Sequence, residues 1–285
     1  MKYIIALATA IIFIGCGSSG AGGGSNGGSN GAGSPKGGGA TGKGGSMARF
    51  AISGDYLYTL NKKEITAFDI SIPSKPLPYT SDTVPWDVET LFSYGDYLYI
   101  GAEGGVYIYN KPTPSKGMAE VGKFVHVKSC DPVVVEDGFA YVTLNNGSDC
   151  RVQNGVDMLQ VLNIKDPLNP ISAKMSDGND TIRNMIDPKG LGVDGNSLFI
   201  CDGAGGLKVF DINKTENNET NQTTVDLYYE RENTIDDIDC YDVIPNNGNL
   251  IVSNGDDVRQ FDYTHLPMKE LGRIKWLKKP LYLYF

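Results

Sequence analysis

From residue 47 onward, apolar and polar side chains alternate in short runs that return along the chain. Gly54-Asp55-Tyr56-Leu57-Tyr58 recurs as Gly95-Asp96-Tyr97-Leu98-Tyr99, Asp137-Gly138-Phe139-Ala140-Tyr141, Gly195-Asn196-Ser197-Leu198-Phe199 and Asn247-Gly248-Asn249-Leu250-Ile251. With Tyr58, Tyr99, Tyr141, Phe199 and Ile251 as equivalents, the steps are 41, 42, 58 and 52 residues. A second run, Ile65-Thr66-Ala67-Phe68-Asp69-Ile70, has counterparts at 106–110, 159–164, 207–212 and 258–263. Runs of β-branched and aromatic residues with period two, bounded by Gly, Asn, Asp and Pro, read as strands. No segment sustains a 3.6-residue apolar period with caps, which argues against helical repeats.

Each unit yields four strands, as at 48–53, 55–60, 65–70 and 77–83. Four-stranded units of about 40 to 45 residues have the size of a propeller blade. The pattern therefore predicts an all-β, five-bladed β-propeller of four-stranded repeats, closed into a ring. The repeats fall at about 47–84, 85–127, 128–180, 181–235 and 236–285. Two long steps carry extra residues, around Asn145 to Asn154 and in the polar run Asn213 to Thr224, both expected as loops. Asp69, Asn110, Asn163, Asp211 and Asp262 close the third strands and are expected to shape the following turns. The tail, with Leu281-Tyr282-Leu283-Tyr284-Phe285, is expected to add an edge strand to the last blade, and Trp86 to pack between blades.

The start of the chain follows other rules. Lys2 precedes the apolar run Ile4 to Gly15, too short for a membrane span of roughly 20 residues but proportioned like a signal-peptide core. Phe13-Ile14-Gly15-Cys16 resembles the bacterial lipobox. That resemblance implies that residues 1–15 are removed and that Cys16 is lipidated and becomes the N-terminus. Acyl chains there would anchor the protein in a membrane. Residues 17 to 46 hold 15 glycines among 30, with mostly Ser, Ala and Asn besides. Such a stretch cannot offset its ordering entropy by burial, so 16–46 is expected to be a disordered tether with an r.m.s. span of about 30 Å.

Charge and cysteines narrow the class. The net charge is −9, and loss of Lys2 with the signal peptide makes it −10. Nucleic acid, bound mainly by phosphate neutralisation, is a poor partner for such a chain. Beyond Cys16, four cysteines remain, an even number that suits disulfides in an oxidising compartment. In a blade the first strand begins, and the second ends, on one face. Cys130 and Cys240 stand at the start of first strands, Cys201 just past the end of a second strand and Cys150 in the insertion after one. The expected pairs are Cys130–Cys150 and Cys201–Cys240; a Cys130–Cys201 bridge is the rival pairing.

The strand Gly205-Gly206-Leu207-Lys208-Val209-Phe210-Asp211-Ile212 and its four counterparts resemble the LVIVD repeat of bacterial surface propeller lipoproteins. Ser46-Met47-Ala48-Arg49-Phe50, Trp86-Asp87-Val88-Glu89-Thr90, Ser129 to Val135, Gly190 to Asp194 and Tyr241 to Pro245 extend the likeness over residues 46 to 275. The resemblance implies a propeller architecture and a cell-surface location, with no shared catalytic set. Lys189 departs from it, since many relatives carry histidine there.

Loops leading into the first strands gather at the axial mouth. Met47, Val88, Cys130, Pro188 and Cys240, eleven residues before the five equivalents, are expected to ring it, and Asp87, Glu89, Asp131, Asp187, Lys189, Asp239 and Asp242 flank that ring and form the candidate binding site. Carboxylates so placed can hold a divalent cation or a polar ligand, or simply bond neighbouring backbone N–H groups. No nucleophile elbow, dinucleotide fingerprint or metal-spaced histidine pair is present in the sequence. The expectation is a monomeric, non-enzymatic binding module for protein or glycan, without a cofactor, anchored at the outer membrane or cell surface. Two alternatives stay open: a periplasmic carboxylate hydrolase, lyase or oxidoreductase working at the mouth, and a cation-stabilised structural protein.

Overall fold

The computed structural model describes residues 45–84, 88–102, 104–125, 132–146, 157–217, 222–265 and 267–276. These residues fold into five antiparallel sheets, each a meander in which consecutive strands pair, save that the last short strand of the third sheet pairs back onto that sheet's third strand. Blade 1 holds β1 (Phe50–Ser53), β2 (Tyr56–Asn61), β3 (Glu64–Asp69) and β4 (Leu77–Thr83). Blade 2 holds β5 (Val88–Tyr94), β6 (Tyr97–Ala102), β7 (Gly105–Asn110) and β8 (Glu120–Val125). Blade 3 is built from β9 (Val133–Glu136), β10 (Phe139–Leu144), β11 (Met158–Asn163) and the two short strands β12 (Ile171–Ser172) and β13 (Thr181–Ile182). Blade 4 comprises β14 (Leu191–Asp194), β15 (Ser197–Cys201), β16 (Leu207–Asn217) and β17 (Gln222–Tyr229). Blade 5, after a 3-10 turn at Arg231–Asn233, comprises β18 (Cys240–Asn246), β19 (Asn249–Asn254), β20 (Asp257–Asp262) and β21 (Lys269–Lys275).

First strands of successive blades contact one another, β1 with β5, β5 with β9, β9 with β14 and β14 with β18, which makes them the inner wall of a five-bladed propeller. The turns between first and second strands explain the recurring Gly-Asp and Asp-Gly pairs. Gly54, Gly95 and Gly195 adopt left-handed φ of 58°, 52° and 59°, where a side chain is disfavoured.

The apolar cores lie between blades. Tyr58 and Ile65 pack with Leu91 and Leu98 between blades 1 and 2, and Tyr99 and Ile108 with Val133 and Val135 between blades 2 and 3. Tyr141 and Leu159 pack with Leu191 and Leu198 between blades 3 and 4, and Phe199 and Val209 with Val243 and Phe261 between blades 4 and 5. Each such side chain contributes about 1.5 to 3 kcal/mol on burial. Blades 5 and 1 differ. They meet near the axis, where Ser46 reaches Asp242, but the sheet faces between them carry exposed apolar residues such as Phe50 and Ile251. The ring expected to close by packing is therefore joined at this seam mainly near the axis.

Two further expectations are corrected. Thr181–Ile182 pairs with β11, so blade 3 runs past the boundary placed at residue 180. The polar run Asn213 to Thr224 is not simply a loop: it lengthens the β16–β17 hairpin, with pairing from Phe210–Tyr229 out to Asn217–Gln222. This arm leans on blade 3. Val225 is buried in the core between blades 3 and 4, and its N–H donates to the Lys174 carbonyl at 2.9 Å. Lys165 pairs with Glu216 at 3.0 Å and Lys214 with Asp137 at 2.9 Å. Both lysines also sit over the Phe139 ring.

The lengthened hairpin also explains an irregularity among the strand-ending Asx residues. Asp69, Asn163 and Asp262 accept backbone N–H bonds from Ser71, Lys165 and Thr264, two residues on, as turn-forming Asx residues do. Hydrogen bonds from the Ser71 and Thr264 hydroxyls, and then these backbone bonds, hold the Asp69 and Asp262 carboxyls below the usual range. Asn110 instead donates to the carbonyls of Lys111 and Gly117. Asp211 sits inside β16 opposite Tyr228, because its strand continues where the others turn.

Candidate functional site at the propeller mouth

Of the seven candidate mouth residues, Glu89, Asp187, Lys189, Asp239 and Asp242 are described; Asp87 and Asp131 lie outside the described residues, as do Cys16, Cys130, Cys150 and Trp86. Glu89 falls in the bulge that separates Val88 from Thr90 in the β5–β6 ladder. The other four occupy two sub-sites on blades 4 and 5.

The first is centred on Lys189, just before β14. Its ammonium lies 3.0 Å from Asp187 and 3.9 Å from Asp239, and 5.3 Å from the centre of the Tyr241 ring. Asp187 also accepts a bond from the Asn145 amide at 2.7 Å. Beneath this group stands a residue that the sequence reading missed. Asp202 is fully buried at the end of β15, accepts the N–H groups of Ile186 and Asp187 at 2.8 and 2.9 Å, and pairs with Lys208. A buried carboxylate with two backbone donors and an ammonium is well compensated, and here it pins the lead-in to β14. Cys201, the preceding residue, forms a disulfide with Cys240 at the start of β18, with Cα atoms 4.8 Å apart. The bridge ties the blade 4 and blade 5 parts of the mouth together.

The second sub-site is axial. Asp242 accepts from the Val243 N–H at 2.9 Å and from the Ser46 hydroxyl at 3.4 Å. The Ser46 oxygen in turn accepts the Leu191 N–H at 2.7 Å, and the Ala48 carbonyl accepts the Leu91 N–H at 2.8 Å. Gly45–Ala48 thus links blades 2, 4 and 5, and Gly45 and Ser46 are buried. The glycines matter here. A Cβ at Gly45 or Gly190 would come within about 2 Å of the Asp242 carboxylate, at 2.0 and 2.1 Å. Desolvation in this wedge pushes the Asp242 carboxyl up to about 6, against the hydrogen bonds that favour its charged form.

The mouth is therefore not a ring of free carboxylates. Lys189 partly neutralises Asp187 and Asp239, and Asp242 is engaged by the chain's own lead-in segment. Among the described residues, no three His, Cys, Asp or Glu side chains lie close enough together to hold one metal ion.

Beside the mouth, blade 5 carries a cavity of about 560 Å³. Asp237, Asp239, Asp257, Arg259, Arg273 and Trp276 are among its walls. Asp257 is buried and paired with Arg259 at 3.3 Å and Arg273 at 3.6 Å, while Trp276 is 54% exposed at the rim. Only Asp239 of this cavity was legible as a candidate.

The repeat geometry has a counterpart in known proteins. Residues 44–80, from the axial lead-in into β4, match the family model of the LVIVD repeat. The first blade is an LVIVD repeat. Two solved structures share the overall fold of this propeller. Apo AztD from Citrobacter koseri is 14% identical with a TM-score of 0.53, over 81% of this chain and 62% of that one. A second AztD structure from the same organism is 12% identical with a TM-score of 0.53, again over 81% and 62%. This chain thus spans about three fifths of the length of AztD, and at such identities the likeness is one of fold. No curated protein matches the sequence.

Proposed function

We propose that the chain is a lipid-anchored protein of the bacterial envelope whose propeller serves as a non-enzymatic, monomeric binding module for a protein or glycan. The observation that carries this reading is the built face of blades 4 and 5: a disulfide-braced mouth continuous through Asp239 with a polar cavity rimmed by an exposed tryptophan. Aromatic side chains with polar neighbours give contact area together with orientation, which suits a binding surface. Carboxylates held by Lys189 and by Arg259 favour fixed recognition over proton transfer. The apolar run before Cys16, the glycine-rich tether and the disulfide support the envelope location.

Changing Cys16 to Ser is expected to move the protein from the detergent phase to the aqueous phase, with loss of acylation. Retention of acylated, membrane-bound protein would refute the anchor. The same soluble variant then serves as bait on envelope extracts of the source bacterium. Captured material should fall at least tenfold when Asp237→Asn, Asp239→Asn and Trp276→Ala are combined. Undiminished capture would place binding elsewhere, and turnover of the captured glycan would establish the enzymatic alternative.

A further inference from the structure

One turn organises the blade 5 cavity. Asn254, the last residue of β19, accepts the N–H groups of Asp256 and Asp257 at 2.7 Å each and donates to the Asp257 carboxylate at 2.8 Å. Asp257 lies 3.3 Å from Arg259 and 3.6 Å from Arg273. Arg259 also lies 3.6 Å from Asp237, and Arg273 donates twice to Glu270 at 3.1 Å. The Asp257 and Arg259 side chains are 6% and 10% exposed, so removing either would leave the other's charge buried and poorly compensated. The same turn carries the aromatic wall: the Trp276 backbone N–H donates to the Asp256 carbonyl at 3.0 Å and its indole N–H to the Asn254 carbonyl at 3.5 Å. The ring is thereby fixed at the rim before any ligand arrives, with Trp276 half exposed. Trp276 is the last described residue; Leu281–Phe285, expected to add an edge strand to this blade, lies outside the described residues.

These walls select a ligand by what they have already paired. They carry four carboxylates and three cations, so their formal charges nearly cancel, and Lys189, 3.9 Å from Asp239, offsets the remainder. A cationic ligand would have to displace Arg259 from Asp237 or Lys189 from Asp239, and an anionic one would meet those carboxylates directly. A hydroxyl group both donates and accepts, so a ligand bearing several of them uses carboxylates and guanidinium N–H groups together without disturbing either. The indole adds a broad apolar surface with a negative face, which suits the C–H face of a saturated ring. The volume, about 560 Å³, falls within the range of sites that enclose small ligands.

We infer that the blade 5 cavity is a site for a neutral glycan, with one sugar ring stacked on Trp276 and its hydroxyls donating to Asp237 and Asp239 and accepting from Arg273. This rests on the binding-module reading above and narrows it to one ligand class. The pairing of Asp257 with both arginines sets the positions of the donors, and the turn at Asn254 sets the position of the ring, so little side-chain freedom is lost when the sugar binds.

The test titrates the full chain against immobilised neutral oligosaccharides of glucose, galactose, mannose and N-acetylglucosamine, against sulfated and uronic-acid oligosaccharides, and against a pentalysine peptide. At least one neutral series should bind, with a Kd that changes less than about twofold between 50 and 500 mM salt, because no net charge is exchanged. Trp276→Ala should weaken that binding about tenfold or more and Trp276→Phe, which keeps an aromatic face, much less. Both variants should melt within about 2 °C of the parent, since the side chain stands at the surface. Preference for pentalysine or for the charged sugars, with affinity falling steeply over the same salt range, overturns the inference. So does neutral-sugar binding that Trp276→Ala leaves intact, or no binding of any neutral probe at millimolar concentration. Should envelope material still be captured through Asp237, Asp239 and Trp276 in that last case, the binding module stands and the glycan alone is discarded.

Discussion

Replacing Cys201 and Cys240 together with alanine is expected to lower stability by about 4 kcal/mol, the loop-entropy value for a bridge that closes 39 residues. For a domain of this size that corresponds to a fall in Tm of roughly 8 to 15 °C. The effect is large for a local reason as well. Both cysteines are fully buried in the core between blades 4 and 5, so truncation also removes packed sulfur atoms. Oxidised wild-type protein, reduced wild-type protein and the double variant are compared by thermal melting. The reduced protein should melt well below the oxidised form, and the variant, which also lacks the packed sulfur atoms, at or below the reduced protein. Coincident melting of all three would show that the bridge adds nothing.

The second large effect is a pH dependence centred on Asp242. Its folded-state carboxyl lies near 6 and the ordinary value is 3.8, so the folded protein holds this proton more tightly than the unfolded chain. The associated stabilisation is complete below about pH 4 and is lost as pH rises through about 6. Two units correspond to about 3 kcal/mol, and residual solvent access makes about 2 kcal/mol the expected loss between pH 4 and pH 7. Asp242→Asn keeps an acceptor for the Val243 N–H but cannot ionise. Urea unfolding at pH 4, 5, 6 and 7 should give the wild type a steeper decline with pH than the variant, by about that amount. Parallel curves would refute the assignment.

Much of the fold was legible because it is local. Period-two runs and the Gly-Asp, Asp-Gly and Asn-Gly turns report a strand and its hairpin from a few residues, and five copies identify a propeller. What lay beyond reach depended on partners distant in sequence. Phe50 and Leu91 are both apolar residues at the same place in a first strand, and nothing near either one says that Leu91 meets a neighbouring blade while Phe50 is left exposed. The run Asn213 to Thr224 read as a loop because a two-stranded arm projecting from the ring buries little on either face, so the alternation that betrays other strands is weak. At the site, position along the first strand pointed to Asp187, Lys189, Asp239 and Asp242 as candidates for the mouth. It could not show that Lys189 would bridge two of them or that Ser46 would reach the fourth. Asp202 had a usable signal, an acid followed by Gly203 and then by Gly205 and Gly206 at the end of a second strand, where a carboxylate can collect backbone N–H groups.

The arm formed by β16 and β17 also bears on how the molecule comes apart. Stacked repeats ordinarily exchange stability only through the interface with each neighbour, so opening starts at the end units and moves inward. Here the arm adds a second fastening between blades 3 and 4, through Val225, Lys165 and Lys214, alongside their shared core. Those two blades therefore behave as one cooperative block, and the slowest amide protons to exchange with solvent should be those of β10, β11 and β15. β4 and β21, at the outer edges of the two end blades, lose their protection first, so the chain unzips toward its middle and any partly opened form retains the paired central blades.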